Sequence, residues 1–330
     1  KKYSPCFSEN FDNMLQGTGS LKAVINQAKI LNHKTVFAKD QNGNGIKAYG
    51  SSTNWEEFFK KYDNCLSKHF YEVIQSNLPM VLYLDMEHYG EEIFDTIASA
   101  TEENIDALDR KVIQSVTFFL QKFLLQIGRS DLVDSSNASL VGSCSALSAT
   151  HIARLKTSCH VVFHDLVFSC ASELAHFMNL FADFIQNFEP ENEDETSKRA
   201  LLFYHDKKAD RIKIVIDPLV YHKNPESTQL LRLMLSSKFS DKNSALRYLL
   251  FDNGVQHISQ KELFLNSLAQ PDISKEKLNK AIQMTSSSPY PVWKPQATKK
   301  AANNASSEIK TESLALQEVI DLIAPLLQKN

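Results

Sequence analysis

No two of the five cysteines in this 330-residue chain stand three positions apart. Cys6, Cys65, Cys144, Cys159 and Cys170 therefore imply neither a zinc site nor a disulfide framework, and reduced thiols inside a cell are the simplest account. Net charge is also nearly missing: 36 Lys and Arg stand against 39 Asp and Glu, leaving −3. That excludes a uniformly basic coat for nucleic acid, so any polyanion site must be a local patch. No apolar run approaches the roughly 20 residues needed to span a bilayer, so no membrane partner is expected. No signal-peptide pattern is visible at the first residue, and there is no internal repeat. The rest is an ordinary globular balance, 43% hydrophobic and 23% charged. It excludes wholesale disorder and allows a sizeable core in one large or two small domains.

The chain is organised around Met80-Val81-Leu82-Tyr83-Leu84, followed by Asp85-Met86-Glu87. A short β-branched and aromatic run after Pro79 reads as a buried strand. Positions i and i+2 of a strand share a face, so Asp85 and Glu87 are expected to project together from its end. Two ionised carboxylates on one face repel, and a cation between them would relieve that. Hard oxygen donors favour Mg²⁺ or Mn²⁺. The plain alternative is that the two acids open a solvated loop.

Around this stretch the chain reads as mixed α/β. Residues 9–31 have helical spacing. Thr35 to Gly50 reads as a hairpin turning at Asn42-Gly43-Asn44-Gly45. A helix starts near Trp55, with Trp55, Phe58 and Phe59 as core. Tyr71-Glu72-Val73-Ile74 is a short strand. Residues 91–127 carry a long amphipathic helix behind an acidic start, and 172–187 a second helix. Glu189 to Lys198 is expected to be a polar surface loop. Arg211 to Asp217 repeats the pattern of a strand with a carboxylate at its end, and Pro218 follows. The expected layout is an N-terminal helical segment (1–34), a catalytic core (35–270), a linker (271–311) and a C-terminal helix (312–330).

Asp85, Glu87 and Asp217 together would supply three carboxylates, enough for two divalent cations. Such a pair can lower the pKa of a 3′-hydroxyl and stabilise an in-line phosphoryl displacement. Lys156, Ser158 and His160 alternate along one extended segment, a donor set that suits a triphosphate; alternatively, His160 is a core histidine. Tyr204 to Arg247 holds nine Lys/Arg and five Asp/Glu, a local +4 in a chain of −3. Within it Arg232 and Lys238 are placed to neutralise phosphate charge.

These residues carry a resemblance. His69-Phe70-Tyr71-Glu72-Val73-Ile74 and then Leu82-Tyr83-Leu84-Asp85-Met86-Glu87 resemble the first motif, Asp-x-Glu, of the archaeo-eukaryotic primase superfamily, in its eukaryotic primase-polymerase branch. Lys156-Thr157-Ser158-Cys159-His160-Val161-Val162-Phe163 is similar to the second motif, Ser-x-His. Ile216-Asp217-Pro218, then Leu231-Arg232-Leu233 and Ser236-Ser237-Lys238, resemble the third motif and its basic tail.

The resemblance implies a two-module catalytic core with a recognition-motif-like sheet and an active-site cleft between modules. It implies a DNA-directed primase-polymerase in repriming or damage tolerance, acting in the nucleus or mitochondrion on single-stranded or primed DNA with NTP or dNTP. Asp85, Glu87 and Asp217 would hold Mg²⁺ or Mn²⁺. Lys156, Ser158, His160, Arg232 and Lys238 would hold the triphosphate. Tyr71 would lie near the nucleotide sugar, and Lys47 would touch template or phosphate. Template binding by a near-neutral chain is expected to be weak, which makes a single-strand-binding protein an expected partner. Pro218 departs from the family pattern, and so does the absence of a counterpart to its C-terminal zinc-binding module. The alternatives are a primer-extending or end-joining polymerase without priming, a non-catalytic template-binding scaffold, or a metal-dependent nuclease.

Overall fold

The computed structural model describes residues 20–41, 45–90, 102–137, 139–143, 146–147, 155–206, 211–217, 220–221, 224, 226–239, 244–249 and 259–284. The first half of the chain gives α1 (Leu21–Ile30), β1 (Thr35–Asp40), β2 (Lys47–Ser52), α2 (Trp55–Tyr62), β3 (Phe70–Gln75), β4 (Met80–Gly90), α3 (Glu102–Gln126), β5 (Ser139–Ser143) and β6 (Ala146–Leu147). The second gives β7 (Leu155–Phe168), α4 (Ala171–Asn187), α5 (Glu193–Ala200), β8 (Phe203–Asp206), β9 (Arg211–Ile214), β10 (Thr228–Arg232), β11 (Arg247–Tyr248), α6 (Gln260–Leu265) and α7 (Lys275–Asn279). The result is mixed α+β with antiparallel pairing in every ladder of the sheets. Among the described residues, no helix is long and apolar enough to cross a membrane.

One sheet has the order β10-β3-β1-β2. Its even positions on β1 (Val36, Ala38) face α1, where Val24 and Ala28 are buried against them and Val73. The odd positions face α2 and α6, where Phe37, Phe70, Trp55, Phe58 and Phe264 form an aromatic core. Asn54 caps α2 by accepting the Glu57 N–H at 2.9 Å, with Glu56 and Glu57 in the first turn and Lys60 and Lys61 in the last. The hairpin register runs from Thr35↔Ser52 to Asp40↔Lys47. Gly45 turns it with φ +80°, a conformation that glycine adopts without strain.

A second sheet has the order β11-β5-β7-β4, with β6 also paired to β7, and β8 and β9 form a small third sheet of two strands. Leu82, Leu84, Met86, Cys159, Val161 and Phe163 share the second sheet's inner face and are buried under α3 and α4. Phe123 of α3 packs at 5.2 Å on Phe177 and at 5.5 Å on both Phe181 and Phe184 of α4. Each such ring contributes roughly 1.5–3 kcal/mol by burial. Residues 269–270 tie the two sheets together. The Ala269 N–H donates to Glu72 Oε2 (2.9 Å), the Gln270 N–H to Oε1 (2.7 Å), and the Ala269 carbonyl accepts from Val81 N (2.9 Å).

Several expectations change. The strand that carries Asp85 and Glu87 does not end at them: β4 stays paired with β7 to Gly90↔Leu155, so the carboxylates project from inside a ladder. The polar run Glu189 to Lys198 is not simply a loop, because it contains most of α5. An Asn192 cap (3.0 Å to Glu195 N) and charges ordered along the helix dipole stabilise it. Buried Glu195 also meets Lys122 at 2.6 Å. The Arg211–Asp217 run is a strand only to Ile214, followed by a single bridge, Ile216↔Met86. Of the stretch expected as linker, residues 271–284 carry α7 and bury Ile282 and Met284, with Ile282 bridged to Phe168. Residues 9–19, 42–44, 91–101, Pro218 and the helix expected at 312–330 lie outside the described residues.

Candidate active site

Three chain segments line up across the outer face of the second sheet. Asp85 pairs with His160 on β7, and Glu87 with Ser158. On the other side of β4, Met86 bridges Ile216, the Asp217 N–H donates to the Asp85 carbonyl at 2.9 Å, and the Glu87 N–H donates to the Val215 carbonyl at 2.8 Å. Residues directly opposite in an antiparallel ladder share a face. His160, Asp85 and Asp217 thus form one cross-strand row, with Glu87 and Ser158 in the next. Tyr83 continues the same face and is closed over by Tyr221. Their rings are 5.5 Å apart, the Tyr221 hydroxyl donates to the Tyr83 carbonyl (2.9 Å), and the Tyr83 hydroxyl donates to the Val220 carbonyl (3.2 Å). Lys156 lies on the same strand, opposite Tyr89 and Ala146.

The turn after β10 covers the row from the other sheet. The virtual Cβ of Gly142, which pairs with His160, would lie 2.3 Å from Met234 Sδ, so only glycine lets Met234 sit there. Leu235 adopts φ +65°, a left-handed conformation costly for a branched side chain. Several bonds hold it: Leu235 N to the Leu246 carbonyl (2.7 Å), Leu246 N to the Ser236 carbonyl (3.1 Å), and the Tyr62 hydroxyl donating to the Met234 carbonyl. Ser244 then joins the two basic residues. Its carbonyl accepts from Arg232 Nη1, and its hydroxyl accepts the Lys238 N–H at 2.9 Å.

His160 is buried, and burial is the main cause that pulls its pKa down to about 3, helped by the nearby charges of Arg232 and Lys238. Glu87 and a hydrogen bond to the Arg232 backbone oppose that shift without overcoming it. The imidazole is therefore neutral near pH 7 and works as a hydrogen-bonding group, not as a cation. His160 is thus buried like a core histidine and also lies in the row with the acids.

Tyr71 and Lys47 lie on the first sheet, with Tyr71 opposite Arg232. A residue not singled out from sequence joins them. Asp40 accepts from Lys47 Nζ at 2.6 Å and from the Tyr71 hydroxyl at 2.9 Å, while Lys47 Nζ stands 4.2 Å from the Tyr71 ring centroid. Burial, then the bond to Asp40 and its charge, raise the Tyr71 pKa to about 12. The signal for Asp40 was present in the sequence: a Gln41–Ile46 turn sets Asp40 opposite Lys47 as an oppositely charged cross-strand pair. Met234, Gly142 and Ser244 carried no such signal.

The structure thus brings Asp85, Glu87, Asp217, Ser158, His160, Arg232 and Lys238 into one region, with Tyr71 and Lys47 adjoining. The backbone placement fits a hard divalent cation: oxygen donors on one face, with Cβ atoms of the Asp85–Asp217 pair about 5 Å apart. As the side chains stand, they do not close on a point. Among the described residues, no three His, Cys, Asp or Glu side chains are grouped to hold a metal ion. No protein-family model and no curated protein matches the chain.

Proposed function

We propose that the chain is a metal-dependent nucleotidyl transferase of the primase-polymerase kind, extending or initiating a strand on single-stranded DNA. The two sheets would be the two modules, and the face between them the cleft. The observation that carries this is the cross-strand row of His160, Asp85 and Asp217 with Glu87 beside it, under a turn that presents Arg232 and Lys238. Asp85, Glu87 and Asp217 would hold Mg²⁺ or Mn²⁺, which would activate the attacking 3′-hydroxyl and stabilise the leaving pyrophosphate. Arg232 and Lys238 would neutralise the triphosphate, and Ser158 would donate to it. Neutral His160 would hold the Arg232 backbone in place.

The test is incorporation of labelled NTP and dNTP on a single-stranded template, with and without primer, in Mg²⁺ and in Mn²⁺. Products on bare template support priming. Products only from a primer support the extension alternative. Template degradation points to the nuclease. No product from folded protein overturns catalysis and leaves the template-binding scaffold.

A further inference from the structure

We propose that Asp40 is a positioning residue that fixes Tyr71 and thereby sets the choice between ribose and deoxyribose in the incoming nucleotide. This rests on the transferase reading above. Asp40 is the last residue of β1, and its carboxylate is almost buried, at 9% side-chain exposure. Two residues back on the same face, Ala38 pairs with Tyr71, which in turn pairs with Arg232. The face therefore runs Arg232, Tyr71, then the Asp40–Lys47 pair. The resemblance implies that a nucleotide whose phosphates lie on Arg232 has its sugar near Tyr71, and the register places these two residues side by side.

The contacts around Tyr71 form a closed triangle. One carboxylate oxygen of Asp40 takes the Tyr71 hydroxyl proton at 2.9 Å, the other takes Lys47 Nζ at 2.6 Å, and Lys47 lies over the ring at 4.2 Å. A nearly buried carboxylate is stable only when paired and hydrogen-bonded, and Lys47 and Tyr71 supply both. Two consequences follow for Tyr71. Its proton is committed to Asp40, so toward a ligand its oxygen acts as an acceptor. Its ring is held at the hydroxyl end and over one face, so it cannot swing aside for a bulkier sugar. A 2′-hydroxyl would thus meet a fixed oxygen instead of an adaptable one. Lys47, expected from the sequence as a direct phosphate or template contact, is here the salt-bridge partner of Asp40 at 2.6 Å.

The experiment compares kcat/KM for an NTP and its dNTP in wild type, Asp40→Asn, Tyr71→Phe and the double variant. Asp40→Asn is expected to move the NTP/dNTP ratio toward unity by about ten-fold or more, the scale of one charged hydrogen bond. Added to Tyr71→Phe it should change the ratio no further, because Asp40 acts through that hydroxyl. A structural role alone would lower the yield of folded enzyme and leave the ratio unchanged. Asp40→Glu keeps the charge but shifts it by one methylene, and serves if the amide variant does not fold. The same loss of selectivity is expected from it. The Tyr71 phenol midpoint should also fall in Asp40→Asn, a readout that needs no activity. Wild-type protein that incorporates neither nucleotide overturns the transferase reading. Wild-type incorporation with an unchanged ratio in the Asp40 variants, or additive effects in the double variant, overturns the role of Asp40 alone.

Discussion

Asp85 stands directly opposite His160 across the β4–β7 ladder, with its Oδ1 3.6 Å from His160 Nε2. That separation exceeds a hydrogen bond. With its pKa near 3, the imidazole also carries no charge at neutral pH. A neutral His160 at that distance therefore does not form an ion pair with Asp85. Asp85→Asn is expected to lower incorporation by about a hundred-fold or more, the range seen when one group stabilising transition-state charge is lost. Its urea midpoint should stay near wild type. Undiminished incorporation by a folded Asp85→Asn protein would falsify the catalytic assignment.

Gly142 gives a test of how closely the two sheets must meet. A Cβ there would strike Met234 Sδ at 2.3 Å and Cε at 2.9 Å. Both atoms are at the far end of a flexible side chain, so the clash is relieved by moving Met234, not the backbone. Gly142→Ala is expected to destabilise by about 1 kcal/mol, the low end for overpacking. Incorporation should fall by more than that loss explains, because displaced Met234 disturbs the turn between Arg232 and Lys238. Met234→Ala, which itself removes a buried side chain, should cost less in the Gly142→Ala chain than in wild type. Denaturation and activity measured on the single and double variants check this, and strictly additive losses count against the contact.

How much of this could be read from the chain depends on sequence distance. Asp85 with Glu87, and Ser158 with His160, are visible because strand alternation is local and needs only neighbours two apart. The hairpin is visible because Asn-Gly chemistry marks its turn. The row that joins Asp85 to Asp217 depends on a bridge between Met86 and Ile216, and no local pattern encodes it. The Glu72 bonds to Ala269 and Gln270 span 197 and 198 residues, and they read locally as an odd charge in a strand. α5 escaped notice for a different reason: its stability comes from caps and charge order, with no apolar stripe to betray the period.

Glu72 makes a pH prediction. It is buried, and burial raises its pKa to about 7 from 4.5, against the lowering effect of the two backbone N–H donors. The folded state thus holds this proton up to about pH 7, while the unfolded chain releases it near 4.5. In that window the native state binds more protons, so stability falls as pH rises. The contribution is fully present below pH 4.5 and lost as pH passes 7, with a size of about 3 kcal/mol. Other groups titrate in the same range, so the readout is the difference between wild type and Glu72→Gln. That difference should shift against wild type between pH 5 and pH 8. A difference that stays flat means Glu72 is ionised throughout.

The link that Glu72 makes is held from the other side by Phe264. This ring is fully buried among Phe59 (5.0 Å), Tyr62 (5.2 Å), Phe58 (6.1 Å) and Trp55 (6.2 Å). Its helix, α6, has only six residues. A helix that short is not stable alone, and its capping box contributes only about 1 kcal/mol. Aromatic burial must therefore anchor it. Phe264→Ala is expected to remove about 3–5 kcal/mol. The loss should be uneven, because residues 269–270 follow directly and bond both sheets. Hydrogen exchange should accelerate first at the Ala269 and Gln270 amides, while amides of α3 and α4 keep their protection in a separate core. Uniform acceleration across both cores would instead show that the two sheets unfold as one unit, with Phe264 supporting the whole molecule equally.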